Sequence, residues 1–374
     1  MDKISWRDIA RSQKLHDLMN KNNHKRSALA LLQQKAWHAF QGFQDTICEN
    51  KLSNQLFQLD WSWLLPVSAV NYGKKELQPG IYLYDFDTFC FEYPHHKKDI
   101  FLKKKFKDPL EAFITAIVPL QVVYVSSSQC YTLENIFDSS PNNIPALYIV
   151  FVEQQASLTL TQNLPRVHRH SIISITFMLE RYAALQFVYM QQPSQFDYFI
   201  NSVFQKGESF FDGKYWLYAK EYTHFIMHLY MQDSHSNSKV SIGYNQTGRE
   251  HMTLITDQLH EAPSTNSTVR VRGILADCAS HSYLSRICIE KNSDNSYAVQ
   301  EHKNIIKGDA VVSHATPSLE VHTNNVHCKH GSASGNLDIY QIHYVCSRGL
   351  DKFQAEKLLI DGFFKEIGLS DLST

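Results

Sequence analysis

The sequence predicts a mainly β protein, with a long all-β core between a helix-rich mixed N-terminal region and a short helical C-terminal region. Three observations carry that prediction. Between residues 145 and 334, short runs rich in Val, Ile, Tyr, Phe and Thr recur roughly every ten to fifteen residues, separated by Ser, Asn, Asp, Gly or Gln. Before residue 145 apolar positions fall at helical spacings, and after residue 335 those spacings return. A chain of 374 residues holds roughly two to three domains, in keeping with three textures at 1–144, 145–334 and 335–374.

Each region has its own signals. At the N-terminus Ile9, Leu15, Leu18 and Met19 recur at helical spacing. After a polar break at Asn20 to Asn23, a second apolar run extends from Ala28 to Phe40. Asp108 and Pro109 supply an N-cap and a first-turn proline for a helix running towards Val118. Core strands are expected around Leu147–Val152, Leu158–Thr161, Ile172–Met178, Leu185–Tyr189, Tyr215–Ala219 and Phe225–Tyr230. More follow around Val240–Tyr244, Met252–Thr256, Val269–Leu275 and Tyr283–Ile289. Within Thr268–Arg272 polar and apolar residues alternate, placing like side chains on one face.

A sandwich, a barrel and a solenoid all share this periodicity. Asn-Gly and Asp-Gly hairpin turns are nearly missing, apart from Asp212-Gly213 and Asp361-Gly362, and a stack of parallel rungs fits that best. At the C-terminus a helix from Leu337 to Ser347 breaks at Arg348 and Gly349. Asp351 to Gln354 reads as a capping box. The helix it opens carries Phe353, Leu358, Leu359, Phe363 and Ile367 as one apolar stripe.

Composition narrows the function. Net charge is −1, so no global field recruits nucleic acid or an anionic membrane. The apolar stretch from Leu110 to Val125 contains Glu111 and Pro119 and is too short to span a bilayer. The polar start has no signal-peptide pattern. Seven cysteines do not pair into a disulfide framework and suit a cytoplasmic location.

The segment Val326 to Gly331 is the most informative chemically. On a strand, Cys328 and His330 share a face, and thiolate beside imidazole suits iron or zinc. Two donors do not close a four-ligand site, so a buried thiol beside a bonded histidine is the plainer reading. His95, His96, His168 and His170 lack completing ligands nearby in sequence. The lysines from Lys97 to Lys107 read as a solvated face. Between Gly207 and Lys214 the spacing is wrong for a phosphate loop, with Tyr215 where Ser or Thr must bind magnesium. Hydrolase, dinucleotide and zinc-protease motifs are missing too, so a non-catalytic role is expected.

A family resemblance adds to this. Asp257, His260, Ser267, Arg272, Gly273, Ala298, Gln300, Asn304, Pro317, Leu319, Glu320 and Val326 stand in the order of the SufB/SufD family of iron–sulfur assembly scaffolds. Cys328, His330, Gly331, Gly335, Leu337, Asp338, Tyr344, Ser347, Arg348, Gly349, Ala355, Leu358, Leu359, Gly362 and Phe363 continue it, and the match leans to SufD. Lys329, Ser332 and His302 depart from the pattern. The resemblance implies a right-handed parallel β-helix that pairs with a SufB-like scaffold and binds a SufC-like ABC ATPase through its terminal helices. Tyr344, Arg348, Leu358, Leu359 and Phe363 are the docking candidates. It maps the family's functional histidine onto His330, with Cys328 the weaker candidate. There the nascent iron–sulfur cluster would be held transiently with ligands from the partner, and ATP would be bound by the ATPase only.

Two alternatives stay open. One is a SufB-like homodimer nucleating its own cluster, for which Cys278 and Cys288 are the nearby cysteines, although both read as core thiols in strands. The other is a cytosolic polysaccharide-acting β-helix enzyme, whose paired carboxylates are not evident.

Overall fold

The computed structural model describes residues 28–47, 73–103, 109–118, 120–126, 129–136, 146–163, 170–191, 196–219 and 221–369. The helix expected around Ile9 to Met19, Lys104, Lys105, Lys107, Asp108 and His168 lie outside them. The described residues fall into two compact units. One takes the chain up to Tyr124 together with residues 146–150 and 173–175, and the other takes the remainder.

The first unit is mixed, as its sequence texture suggests. Helix α1 (Ala28–Ile47) buries Leu32, Ala36 and Phe40. Strands β1 (Lys74–Gln78) and β2 (Ile81–Asp85) pair antiparallel, a hairpin the sequence reading did not locate. Helices α2 (Phe86–Glu92) and α3 (Pro94–Lys103) follow, then α4 (Pro109–Ile117), which starts on the expected proline. Asp85 caps α2 by accepting from Thr88 N at 2.8 Å and also takes Gly73 N at 2.7 Å. Strand β3 (Leu120–Val125) ends the segment.

The second unit is a parallel β-solenoid, with about seven turns in all. The even strands β4 (Cys130–Glu134), β6 (Ser157–Asn163), β8 (Ala184–Met190) and β10 (Phe210–Tyr218) lie side by side in one sheet. That sheet continues through β12 (Asn237–Gln246), β14 (Asn266–Ala276), β16 (Tyr297–Lys307) and β18 (His327–Gly335). Between β4 and β8 run β5 (Ala146–Val152) and β7 (His170–Leu179). The later odd strands β9 (Phe196–Gln205), β11 (Tyr222–Met231), β13 (His251–His260), β15 (Ser280–Ile289) and β17 (Val312–Val321) form the facing wall in that order. The sequence reading located ten of these fifteen strands, treated β18 as a strand only conditionally, and missed β4, β9, β16 and β17. Asp212 and Gly213 lie inside β10 rather than at a turn.

Parallel pairing without register slips stacks equivalent residues in columns. One inward column runs Phe187, Gly213, Val240, Val269, Gln300, His330. Its neighbour runs Tyr189, Tyr215, Ile242, Val271, His302, Ser332. The core therefore changes from aromatic and aliphatic to polar along its axis. At Gly273 a β-carbon would enter the ring of Tyr244 and lie 2.6 Å from Asn304 Oδ1. Glycine is what lets the Tyr244 hydroxyl pass β14 and reach Asn304 on β16.

The C-terminal helices α5 (Ile339–Ser347) and α6 (Lys352–Lys365) form the expected pair. Gly349 at φ +98° makes the turn between them. The Asp351 carboxylate accepts from Gln354 N at 2.8 Å, and the Gln354 side chain accepts from Asp351 N at 3.1 Å, completing the capping box. The apolar stripe of α6 is split, however. Phe364, Ile367 and Leu369 pack on Trp216, Ile274 and Ile305 of the outer sheet face, with Phe363 half-buried beside them. Phe353 and Leu358 point to solvent. Arg272, fully buried beneath this segment, donates to Glu301 at 2.9 Å and Glu366 at 3.1 Å.

Gly273→Ala is expected to cost about 1–3 kcal/mol through overpacking, read as a lower urea midpoint. Gly331→Ala, whose β-carbon meets nothing within 4 Å, should leave the midpoint unchanged.

Candidate functional site

The site is the last rung, β17 and β18, where, among the described residues, both sheets end in an unpaired edge. Register with β16 fixes which side chains point into the solenoid: Cys328 follows Ala298, His330 follows Gln300, Ser332 follows His302 and Ser334 follows Asn304. From β17, Ser313, Ala315, Pro317, Leu319 and Val321 follow the inward residues of β15. In earlier rungs these positions are buried, whereas here nearly all are exposed. The solenoid ends open. Pro317 suits such an edge because it has no N–H to donate onward.

His330 stands exposed in the middle of this opening. Gln300 below it is fixed from both sides, accepting from Ser285 Oγ at 3.0 Å and donating to the Tyr283 hydroxyl at 3.1 Å. Cys328 is half-buried against Ile287, Ile289 and Ala298, and burial pushes its thiol above the ordinary value. His330 is exposed where Cys328 is half-buried, so it is the more accessible donor of the two.

A buried polar network lies one rung deeper. The Tyr244 hydroxyl is 2.6 Å from Asn304 Oδ1, 2.9 Å from His281 Nε2 and 3.1 Å from His302 Nε2. His302 Nδ1 reaches the Ser332 hydroxyl at 2.9 Å, and Asn304 Nδ2 donates to Ser313 Oγ at 3.2 Å. These bonds tie the interior to both strands of the open rung. Burial, then the charge of Arg272, lowers His302 to about 4, while burial holds His281 well below its ordinary value. Burial also raises Tyr244 well above the phenol range. At neutral pH the network is uncharged, a rigid floor rather than a proton-transfer relay.

The expected docking residues lie on the C-terminal helices. Tyr344 and Arg348 are exposed, the guanidinium donating to the Tyr344 hydroxyl at 3.1 Å. Leu358 is exposed, and Leu359 and Phe363 are half-buried. One expectation about cysteines is corrected: Cys278 sits exposed in a turn rather than in the core, because its strand ends at Ala276. Cys288 is buried in β15, as expected, and projects from the face opposite the inward Ile287 and Ile289. The interior trio Tyr244, His281 and His302 went unread, since its members come from three strands, β12, β15 and β16, that only the register brings together.

A fold of this kind defines a β-solenoid protein whose terminal rung presents donors at an open edge. Residues 137–363, more than half of the chain, match the family model described as SUF system FeS cluster assembly, SufBD core domain. The chain belongs to that SufBD family. It is 26% identical over 120 residues to the iron–sulfur cluster assembly protein SufD of Bacillus subtilis, covering 32% of this chain and 28% of that one. Similarity to the SufD of Escherichia coli is 25% over 108 residues, covering 29% and 26%. A SufBD family protein of Mycobacterium tuberculosis is 31% identical over 122 residues, covering 30% of each chain. The matched stretch thus spans less than a third of each of these relatives. Among the described residues no helix is long and apolar enough to cross a membrane.

Four buried histidines set an acid limit. Burial lowers His224, His260 and His302 to about 4, and holds His281 well below its ordinary value. An unfolded histidine takes a proton near 6.5 while the folded one stays neutral, so stability is full above about 6.5 and falls as pH drops towards 4. Each contributes up to about 1.4 kcal/mol per pH unit. Urea midpoints should decline from about pH 7.5 to about pH 5.5, and the slope should shrink in His302→Asn. A flat profile would refute the buried-neutral assignment.

Proposed function

We propose that this chain is a SufD-like, non-catalytic scaffold subunit whose open rung is completed by a second SufBD-family chain, a SufB-like scaffold. The observation that carries this is the exposure of the terminal rung: two edge strands with free backbone groups and exposed Leu319 and Val321. Such an edge pairs readily with another chain's strands. Completion by a matching end would place His330 in the seam as an imidazole donor to the nascent cluster, the complex's cargo, with further ligands from the partner. The free thiols among the described residues suit a reducing, cytoplasmic compartment.

The C-terminal helices serve a separate partner in this reading. Tyr340 is 81% exposed and Phe353 77%, with Tyr344 and Leu358 also exposed, and such apolar positions mark docking surfaces. The partner is a SufC-like ABC ATPase, and ATP binding is its property alone.

Two measurements test this. Co-expression with SufB- and SufC-like partners should give a complex by native mass, in which His330→Ala leaves assembly intact but lowers cluster yield about tenfold or more. Unchanged yield would remove His330 from the mechanism, and a homodimer by mass would favour the self-pairing scaffold. Phe353→Glu combined with Leu358→Asp should weaken ATPase binding by about 2 kcal/mol or more while leaving the circular dichroism unchanged. Wild-type binding would move the docking surface elsewhere.

A further inference from the structure

The outer face of the same rung carries a cluster that the reading above does not use. Cys288 on β15 and Glu320 on β17 are register partners, so their side chains stand side by side on neighbouring strands. The hydrogen-bond ladder continues one step further, His322 N donating to Ile289 O at 2.9 Å and Glu290 N to His260 O at 3.0 Å. Two residues on from the first pair, Glu290 and His322 therefore project from the same outer face. The result is a two-by-two grid of side chains. The donor atoms of Cys288, Glu320 and His322 all lie within 4.8 Å of one another. The Glu290 carboxylate is 3.7 Å from the Cys288 sulfur.

Thiolate, imidazole and two carboxylates are four donors, the number a tetrahedral site needs. Local charge points the same way. Arg286 is the cation beside the cluster, 3.7 Å from Glu320, and it is shared with Asp257 at 3.3 Å. One guanidinium thus faces both Asp257 and Glu320. Cys288 is only 4% exposed, so its sulfur sits at the bottom of the grid, while the exposed Glu320 and His322 leave a path from solvent.

We propose that Cys288, Glu320 and His322, with Glu290 as fourth donor, form a mononuclear site for a divalent transition metal ion of borderline softness, Fe2+ or Zn2+. The site is separate from His330, which points to the inner face of the solenoid. Binding displaces the thiol proton to solvent, and the metal takes its place on sulfur.

Anaerobic titration of the reduced full-length chain with Co2+ tests the proposal. One equivalent should raise a thiolate-to-cobalt charge-transfer band, and Zn2+ should remove it by competition. Cys288→Ser should abolish the band. Glu320→Gln and His322→Ala, at exposed positions that do not threaten folding, should each weaken apparent affinity about tenfold or more. Cys328→Ser and His330→Ala should leave the titration unchanged. No band in the wild-type chain, a band surviving Cys288→Ser, or one lost in Cys328→Ser would overturn the assignment.

Discussion

The parallel backbone ladder is the interaction on which the rest of this structure depends. Each strand of the solenoid bonds to the equivalent strand one turn before and one turn after, in constant register. A ladder of that kind aligns side chains in columns and cannot close on itself, so it must stop at an edge. Both the polar gradient of the core and the exposed His330 follow from that. A histidine at the same inward position two rungs earlier would be sealed, as Val269 is. Position in the stack, not residue type, makes His330 available.

The interior polar network is the counterpart of that open end. An apolar core could run to the last rung only by exposing large hydrophobic groups to water. Instead Gln300, His302 and Asn304 fill the penultimate rung, each held by hydrogen bonds. Gly273 is required because Tyr244 crosses its position to reach Asn304. The Arg272-Gly273 pair thus does two unrelated jobs on opposite faces of β14. The glycine clears the interior, while the arginine anchors the segment after α6 from outside through Glu366.

Much of the fold was legible in the sequence. Runs of β-branched and aromatic residues gave the core, and the proline at 109, the glycine at 349 and the capping box at 351 gave helix ends. Rung corners were not legible. Left-handed backbone recurs at Gln155, Tyr182, Glu208, His235 and Ser264, where glycine or asparagine would have announced a turn. Donors such as Gln155 N to Arg181 O and Tyr182 N to Gly207 O pay for those conformations one rung away. Strand β9, with every residue buried, has no alternation to read. Cys328 and His330 share a face by local parity and could be paired from sequence, whereas the grid around Cys288 needs a partner strand thirty-odd positions on.

Because the backbone ladder joins each turn of the solenoid only to its immediate neighbours, stability here accumulates largely link by link along one axis. The final link has a neighbour on one side only and is the first to fray. Docking of a second chain's end would supply the absent neighbour, so assembly and the last step of folding become a single concentration-dependent equilibrium. The amide groups of β17 and β18 would then exchange with solvent slowly in the complex and quickly in the lone chain, while the middle turns would not register the difference.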